Sequence, residues 1–307
     1  MTRIADLSQN QLIAAFVADT QARIQNTQIQ VSTGQKAQRY AGIADDAATL
    51  VNLESTDART QQYIANNGVV TSRLNAMDSS LSQLTNIATQ LKTLLVNANN
   101  ASDASQMAIN QQAQNLLNQT AGILNVKFGD SYLFSGTRTD VPPVNLSAPG
   151  YTAPGPTYPS TPDTGYYQGN STQLVTRAAD NFNVAYGVTA NQGGFEELIR
   201  SLQLAATAST SPTIDHTRLQ DALDVLNKAI GDLPNIRAGI GASQNAVDQA
   251  TSQHNTMATY MEQTITNIKA VDVPSALTQL SSDQTVLQAA YMTTVRLSNL
   301  SLTQYMR

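Results

Sequence analysis

The chain contains no cysteine, which removes disulfides, thiolate nucleophiles and zinc–thiolate sites together while leaving the compartment open. Charge is scarce: Asp, Glu, Lys and Arg make up 13% of the 307 residues, against roughly 25% in an ordinary soluble domain. With hydrophobic residues at 41%, the shortfall is filled by Gln, Asn, Ser and Thr. Helical surfaces such as Asn86–Thr93 and Gln111–Asn118 therefore carry mostly neutral polar side chains in place of Glu–Lys pairs four residues apart. One physical reason is assembly, because in a polymer each surface charge recurs at every subunit and an unpaired buried charge costs of order 3–5 kcal/mol. Compositional drift would give the same count without that meaning.

Positive charge is short as well. With 17 Lys and Arg against 22 Asp and Glu, the net charge is −5, and no basic footprint for nucleic acid exists. No run approaches the ~18 apolar residues of a membrane span, so membrane insertion is not expected. Met1–Asn10 offers one Arg, then Asp6 and polar residues, without the apolar stretch of a cleavable signal. An exported product would need a route that cleaves no signal.

Catalytic patterns are also missing. His216 and His254 lack ligand spacing such as H-E-x-x-H, and His254 falls at a helical seam position where a packed histidine is the simpler reading. Asp45–Asp46 and Glu196–Glu197 could be read as paired carboxylates, but both open predicted helices, where acidic residues complement the dipole. Gly239–Ile240–Gly241 is too short for a phosphate loop and sits in a helical pattern. Asn118 and Asn170 match glycosylation sequons, a frequent chance pattern. The chain reads as a non-enzyme without metal or cofactor.

What is present is helical periodicity at both ends. Val70, Leu74, Met77, Leu81, Leu84, Ala88, Leu91, Leu95 and Ala98 recur in steps of four and three. Ile240, Ser243, Val247, Ala250, His254, Met257, Met261, Thr264, Ile268 and Val271 do the same, which is the seam of one helix along another. The expected fold is mainly α with a small β-rich inserted domain, an elongated antiparallel helical rod whose N- and C-terminal halves pack together. Its core is placed on Leu74, Leu81, Leu84, Leu91, Leu95, Val247, Met257, Met261 and Ile268. The rod spans 45–140 and 195–274, with a weak point at Asn66–Gly68, a helix end near Gly231 and a break at Pro274. A helix is expected over Phe195–Ala208 and another from about Thr213.

Seven of the ten prolines fall between Pro142 and Pro162, joined by Tyr151, Tyr158, Tyr166 and Tyr167. Strand-like pieces follow at Tyr166–Gln168, Gln173–Arg177 and Phe182–Tyr186, defining an insertion over 141–194. Its tyrosines either fill a small core or form a surface for sugars or another protein.

The terminal segments 1–44 and 275–307 are amphipathic but sparse, with about one position in four large and apolar. Ordering a residue costs roughly 1–2 kcal/mol, and a fully buried large apolar side chain returns roughly 1.5–3 kcal/mol. These segments are expected to be disordered in the monomer and to order on assembly. Ile13, Val17, Ile24 and Val31 at one end, and Leu280, Leu287, Tyr291, Val295 and Leu302 at the other, are the candidate intersubunit helix contacts.

Gln30–Lys36 (QVSTGQK) with Ala41–Ala48 (AGIADDAA) resembles the N-terminal signature of bacterial flagellins. Ala276–Leu280, Leu287–Tyr291 and Leu300–Leu302 resemble the C-terminal helix of the same family. Gly129–Pro143 (GDSYLFSGTRTDVPP) is similar to a segment of the hook–filament junction family, the family of hook-associated protein 3. Val144 stands where that family often has Phe, and the opening Met1–Leu7 lacks the usual run of filament flagellins. The resemblance implies an extracellular flagellar component exported through the flagellar type III apparatus with an export chaperone. It also implies self-assembly as a short ring between hook-associated protein 1 and flagellin. A filament-forming flagellin, or an adhesin using the tyrosine-rich insertion, are the alternatives.

Overall fold

The computed structural model describes residues 2–100, 107–209 and 215–305. Among them the fold is mainly α: α1 (Thr2–Thr33), α2 (Ala44–Asn100), α3 (Met107–Leu124), α4 (Gly193–Ala206), α5 (His216–Lys269) and α6 (Val273–Tyr305). Two small antiparallel hairpins complete it: β1 (Lys127–Phe128) with β2 (Ser131–Tyr132), and β3 (Leu174–Ala179) with β4 (Phe182–Tyr186). The chain divides into a unit of residues 60–256 and a unit of residues 1–59 with 257–307. The division falls inside α2 and α5, away from the expected limits near 44 and 275.

The 60–256 unit holds the core. The α2 stripe Val70–Leu74–Met77–Leu81–Leu84–Ala88–Leu91–Leu95–Ala98 is buried throughout. α5 runs antiparallel to α2, with polar partners in descending order: Asp248 accepts from Thr71, Gln244 donates to Asn75, Arg237 pairs with Asp78, and Asn99 donates to Gln220. α3 and α4 pack together, and Asn110 Nδ2 donates to Ala206 and Ala208 at the end of α4, each at 2.9 Å.

Three local expectations fail for identifiable reasons. Asn66–Gly68 is not a break, since Asn67 is buried in a continuous α2 and donates to Ala178 O at 3.1 Å, docking β3. Nor does the helix end at Gly231: α5 is 54 residues long and passes through Pro234. An interior proline costs ~3 kcal/mol, but Leu226, Ala229, Leu233 and Ile240 on either side are buried, and each large apolar side chain returns ~1.5–3 kcal/mol. The expected helix start near Thr213 lies outside the described residues. Tyr166–Gln168 is not a strand: only an isolated bridge joins Val144 to Tyr167, because the Tyr166 ring turns fully into the core and its hydroxyl donates to Ala190 O.

The 141–194 stretch has no core of its own. Val144, Tyr166, Ala178, Val184 and Val188 join the same apolar cluster as the helices. The β3–β4 hairpin, by contrast, lies close to its expected place.

In the other unit α1 packs against α6. α1 stops where Gly34 takes φ +68, with its N–H on Gln30 O, the αL ending that glycine permits without a Cβ penalty. A 3-10 turn (Tyr40–Ile43) leads into α2, whose first turn carries Asp45 and Asp46. α5 stops at Lys269 and α6 begins at Val273, with Pro274 in its first turn, where the missing N–H costs nothing.

Candidate assembly surface

The α1/α6 pair meets along heptad-spaced seams. On α1 the inward positions are Ile13, Val17, Thr20, Ile24, Thr27 and Val31; the two threonines are buried and the others half-buried. Thr20 and Thr27 satisfy their hydroxyls on the carbonyls of Phe16 and Arg23, four residues back. On α6 the inward positions are Ala276, Leu280, Asp283, Leu287 and Ala290. Leu280 and Leu287 are half-buried there. Tyr291 and Val295, two of the candidate intersubunit contacts, lie off this seam and are exposed, at 47% and 58%. Leu302 lies outside the residues described at side-chain level.

One charged layer crosses the seam. Arg23 donates to Asp283 Oδ1 at 3.2 Å and to Asp19 Oδ2 at 2.6 Å, and Asp283 is buried. The hydrogen bond from Arg23 holds the Asp283 carboxyl below the usual carboxylate range, and the same bond raises the guanidinium. Nearby, Gln21 Nε2 donates to the Tyr291 hydroxyl at 2.6 Å. These two ties run in opposite sequence directions, so the helices are antiparallel.

Apolar exposure divides sharply between the units. Among the described residues of the 1–59/257–307 unit, only Leu50, Ala258, Met261 and Ala276 are buried apolar side chains. The same unit exposes twelve large apolar side chains, among them Leu12, Phe16, Ile29, Leu277, Met292 and Val295. Among its described residues the 60–256 unit exposes five. Of the residues placed in the rod core, Leu74, Leu81, Leu84, Leu91, Leu95, Val247 and Met261 are buried and Ile268 is half-buried. Met257 is 51% exposed, because Ala258 takes the inward place and the stripe runs 247, 250, 254, 258, 261.

Several organising residues carried no periodic signal. Glu196 and Arg200 on α4 form a buried pair at 3.0 Å, and Arg200 also donates to Ser160 O at 2.7 Å. Arg218 on α5 donates to Leu204, Pro154 and Gly155 carbonyls, while Asp221 accepts from Ser160 N. Together they pin the proline-rich stretch, whose backbone has no ladder to satisfy it. The one hint in the sequence was an arginine amid Leu198, Ile199, Leu202 and Leu204 in a chain poor in charge. Tyr166 is buried, and Tyr151 and Tyr167 pack half-buried against the same apolar cluster; burial raises the Tyr151 and Tyr166 hydroxyls and pushes Tyr167 up to about 12.

The Tyr132–Pro143 segment is locked against Asn170. Gly136 adopts φ +67 within reach of Asn170 O and Oδ1. Asn170 Oδ1 accepts from Thr137 N at 2.9 Å, and its N–H donates to Ser135 O at 3.1 Å. From α2, Arg73 donates to Tyr132 O at 2.7 Å.

Chemistry of the catalytic kind is not assembled. Among the described residues no cluster of three His, Cys, Asp or Glu could hold a metal. His254 stacks on Tyr63 with ring centroids 5.1 Å apart, and its Nε2 meets Ala178 O at 2.9 Å. No described helix is long and apolar enough to cross a membrane.

The model of the bacterial flagellin N-terminal helical region matches residues 6–139, and that of the flagellin C-terminal helical region matches residues 223–306. The chain belongs to the bacterial flagellin family. Within that family it is 23% identical to flagellar hook-associated protein 3 of Escherichia coli (strain K12), over 94% of each chain. It is 22% identical to the protein of that name in Salmonella typhimurium (strain LT2), over 95% of each. The fold matches the hook-associated protein 3 structure from Legionella pneumophila with a TM-score of 0.57 at 14% identity, covering 70% of this chain and 98% of that one. It matches Bacillus cereus FlgL with a TM-score of 0.56 at 16% identity, covering 71% and 99%. This flagellin-family chain is a structural component of the flagellum, not an enzyme.

Proposed function

We propose that the chain is the hook–filament junction subunit, which self-assembles as a short ring between hook-associated protein 1 and flagellin. The observation that carries the assembly half of this reading is the 1–59/257–307 unit. Among its described residues the unit buries few apolar side chains and turns twelve large ones outward, eight of them on α1 and α6. A surface of this kind is stable in water only when covered, and a second copy presenting the same faces is the occupant its neutral, repeating polar flanks suit. The junction half rests on the Tyr132–Pro143 segment, which resembles the hook–filament junction family, and on the likeness over 94% of each chain to a protein named flagellar hook-associated protein 3. On this reading the chain leaves the cell through the flagellar type III apparatus with an export chaperone. The terminal helices gain most of their order when neighbours cover them, and the ring lies outside the cell.

A deletion strain tests the reading. Hooks that still form while flagellin is shed into the medium, with filaments restored by the gene in trans, are the expected result. Addition of purified chain to hook–basal-body seeds separates the nearest alternative: a short terminating band fits the junction role, and long filaments would make it a filament flagellin.

A further inference from the structure

Both terminal helices break at the same level, and the two breaks are bonded to each other. Gly34 O accepts from Val271 N at 2.9 Å, and Lys36 N donates to Lys269 O at 2.8 Å. Between these rungs Gln35 and Ala270 form an isolated antiparallel bridge. Lys36 Nζ reaches Asn267 O at 3.4 Å, and Gln30 Nε2 donates to Lys36 O at 2.7 Å. The segment between Thr33 and Tyr40 and the segment between Lys269 and Val273 are therefore one paired element rather than two independent loops.

A three-residue relay spans this joint. Glu54, on α2, accepts from the Tyr40 hydroxyl at 2.7 Å through one carboxylate oxygen and from Lys269 Nζ through the other. Tyr40 follows the first linker, and Lys269 is the last residue of α5. One side chain thus ties the 3-10 turn to α2 and to the end of α5. Beside it lies a cavity of about 200 Å³ lined by Gln35, Ala37, Arg39, Tyr40, Leu50 and Lys269, so the linker has room to shift. On its other side the linker is tightly limited, since a Cβ on Gly42 would meet Ala37 Cβ at 2.5 Å.

We propose that residues 34–39 and 270–272 form a single latched joint. Through it the α1/α6 pair changes inclination as one body relative to residues 44–59 of α2 and 257–269 of α5, with Glu54 as the latch. The geometry supports this division of labour. The backbone rungs hold the two linkers together, whereas side chains at Glu54 tie the joint to α2 and α5, and side-chain contacts at a half-exposed site exchange faster than paired backbone. Hinges are typically a few element-terminal residues that absorb the dihedral change, which describes Gly34 and the short stretch before Val273.

The absence of cysteine allows a clean test in the full chain, with labelled chain assembled in an excess of unlabelled chain so that α1 and α6 are covered by neighbours. Spin labels are placed on Gln28→Cys and Ser55→Cys, both exposed, and the inter-label distance is read by pulsed EPR. Amide exchange at Lys36 and Val271 is read alongside. In Glu54→Ala and Tyr40→Phe the distance distribution should widen by roughly twofold or more as a second inclination is populated, while exchange at Lys36 and Val271 stays within about twofold of the parent. The charge swap Glu54→Lys with Lys269→Glu should return the narrow distribution. An unchanged distribution in both single variants overturns the latch, as does a parent distribution already as broad as theirs. A widened distribution with Lys36 and Val271 exchanging about tenfold faster overturns the joint, because the linkers then separate instead of moving together.

Discussion

Gly136 shows how much one backbone angle holds in this chain. It lies at φ +67, and an added Cβ would strike Asn170 O and Oδ1 and meet Thr172 O at 2.9 Å. Gly129, at φ +60, has nothing within 4 Å. Both alanine variants meet the αL penalty of roughly 1–2 kcal/mol, but only Gly136→Ala adds a backbone clash. Urea denaturation should therefore give a loss of about 1–2 kcal/mol for Gly129→Ala and about 3 kcal/mol or more for Gly136→Ala. Equal losses would mean that Asn170 is not the rigid partner it looks. The sequence marked this segment as a family motif, yet its lock was not legible, because Asn170 lies 34 positions away and asparagine in a turn-rich stretch has many local uses. The same holds for Arg200 and Arg218. Their roles depend on irregular backbone passing over α4 and α5, and no periodicity announces that.

At the scale of elements, periodicity located helices well and seams less well. The α2 stripe was readable because nine apolar positions in steps of three and four admit one face. On α6 Asp283, a charged residue, occupies a seam position that a search for large apolar residues passes over, while Tyr291 and Val295, candidate intersubunit contacts, lie off the seam and exposed. Asp283 also makes the α1/α6 pair sensitive to acid. Its folded value lies below the ordinary 3.8 because Arg23 donates to it, and Glu54 lies below the ordinary 4.5 because Lys269 donates to it. A depressed carboxylate contributes stability above its unfolded value and loses it as pH falls through the folded one. Helical content of the terminal pair should thus hold from neutrality down to about pH 5 and decline below about pH 4. Asp283→Asn should weaken the pair at neutral pH and flatten that decline, as followed by far-UV circular dichroism during thermal melts. A decline of equal size in Asp283→Asn together with Glu54→Gln would assign acid sensitivity to other groups.

At the scale of the whole molecule, residues that join α1 to α6 and residues that would join one copy to another are different sets, and the sequence had merged them. Ile24 and Leu287 face each other's helix and are half-buried, whereas Phe16 and Met292 are exposed at 47% and 63%. Leu12, Phe16, Tyr291, Met292 and Val295 are all exposed apolar side chains of this antiparallel pair. Burial of two such side chains returns roughly 3–6 kcal/mol, and each 1.4 kcal/mol is about tenfold in association. Phe16→Ser with Met292→Ser should therefore raise the concentration needed for assembly by at least about 100-fold, read by sedimentation. The α1/α6 melt and the unfolding of the 60–256 unit should both stay as in the parent. Ile24→Ser with Leu287→Ser should also stop assembly, but by uncoupling α1 from α6, so the melt of that pair drops first. If the outward pair assembles like the parent while the seam pair does not, the docking face between copies lies elsewhere on this unit, and the exposed side chains of Phe16 and Met292 serve a different neighbour.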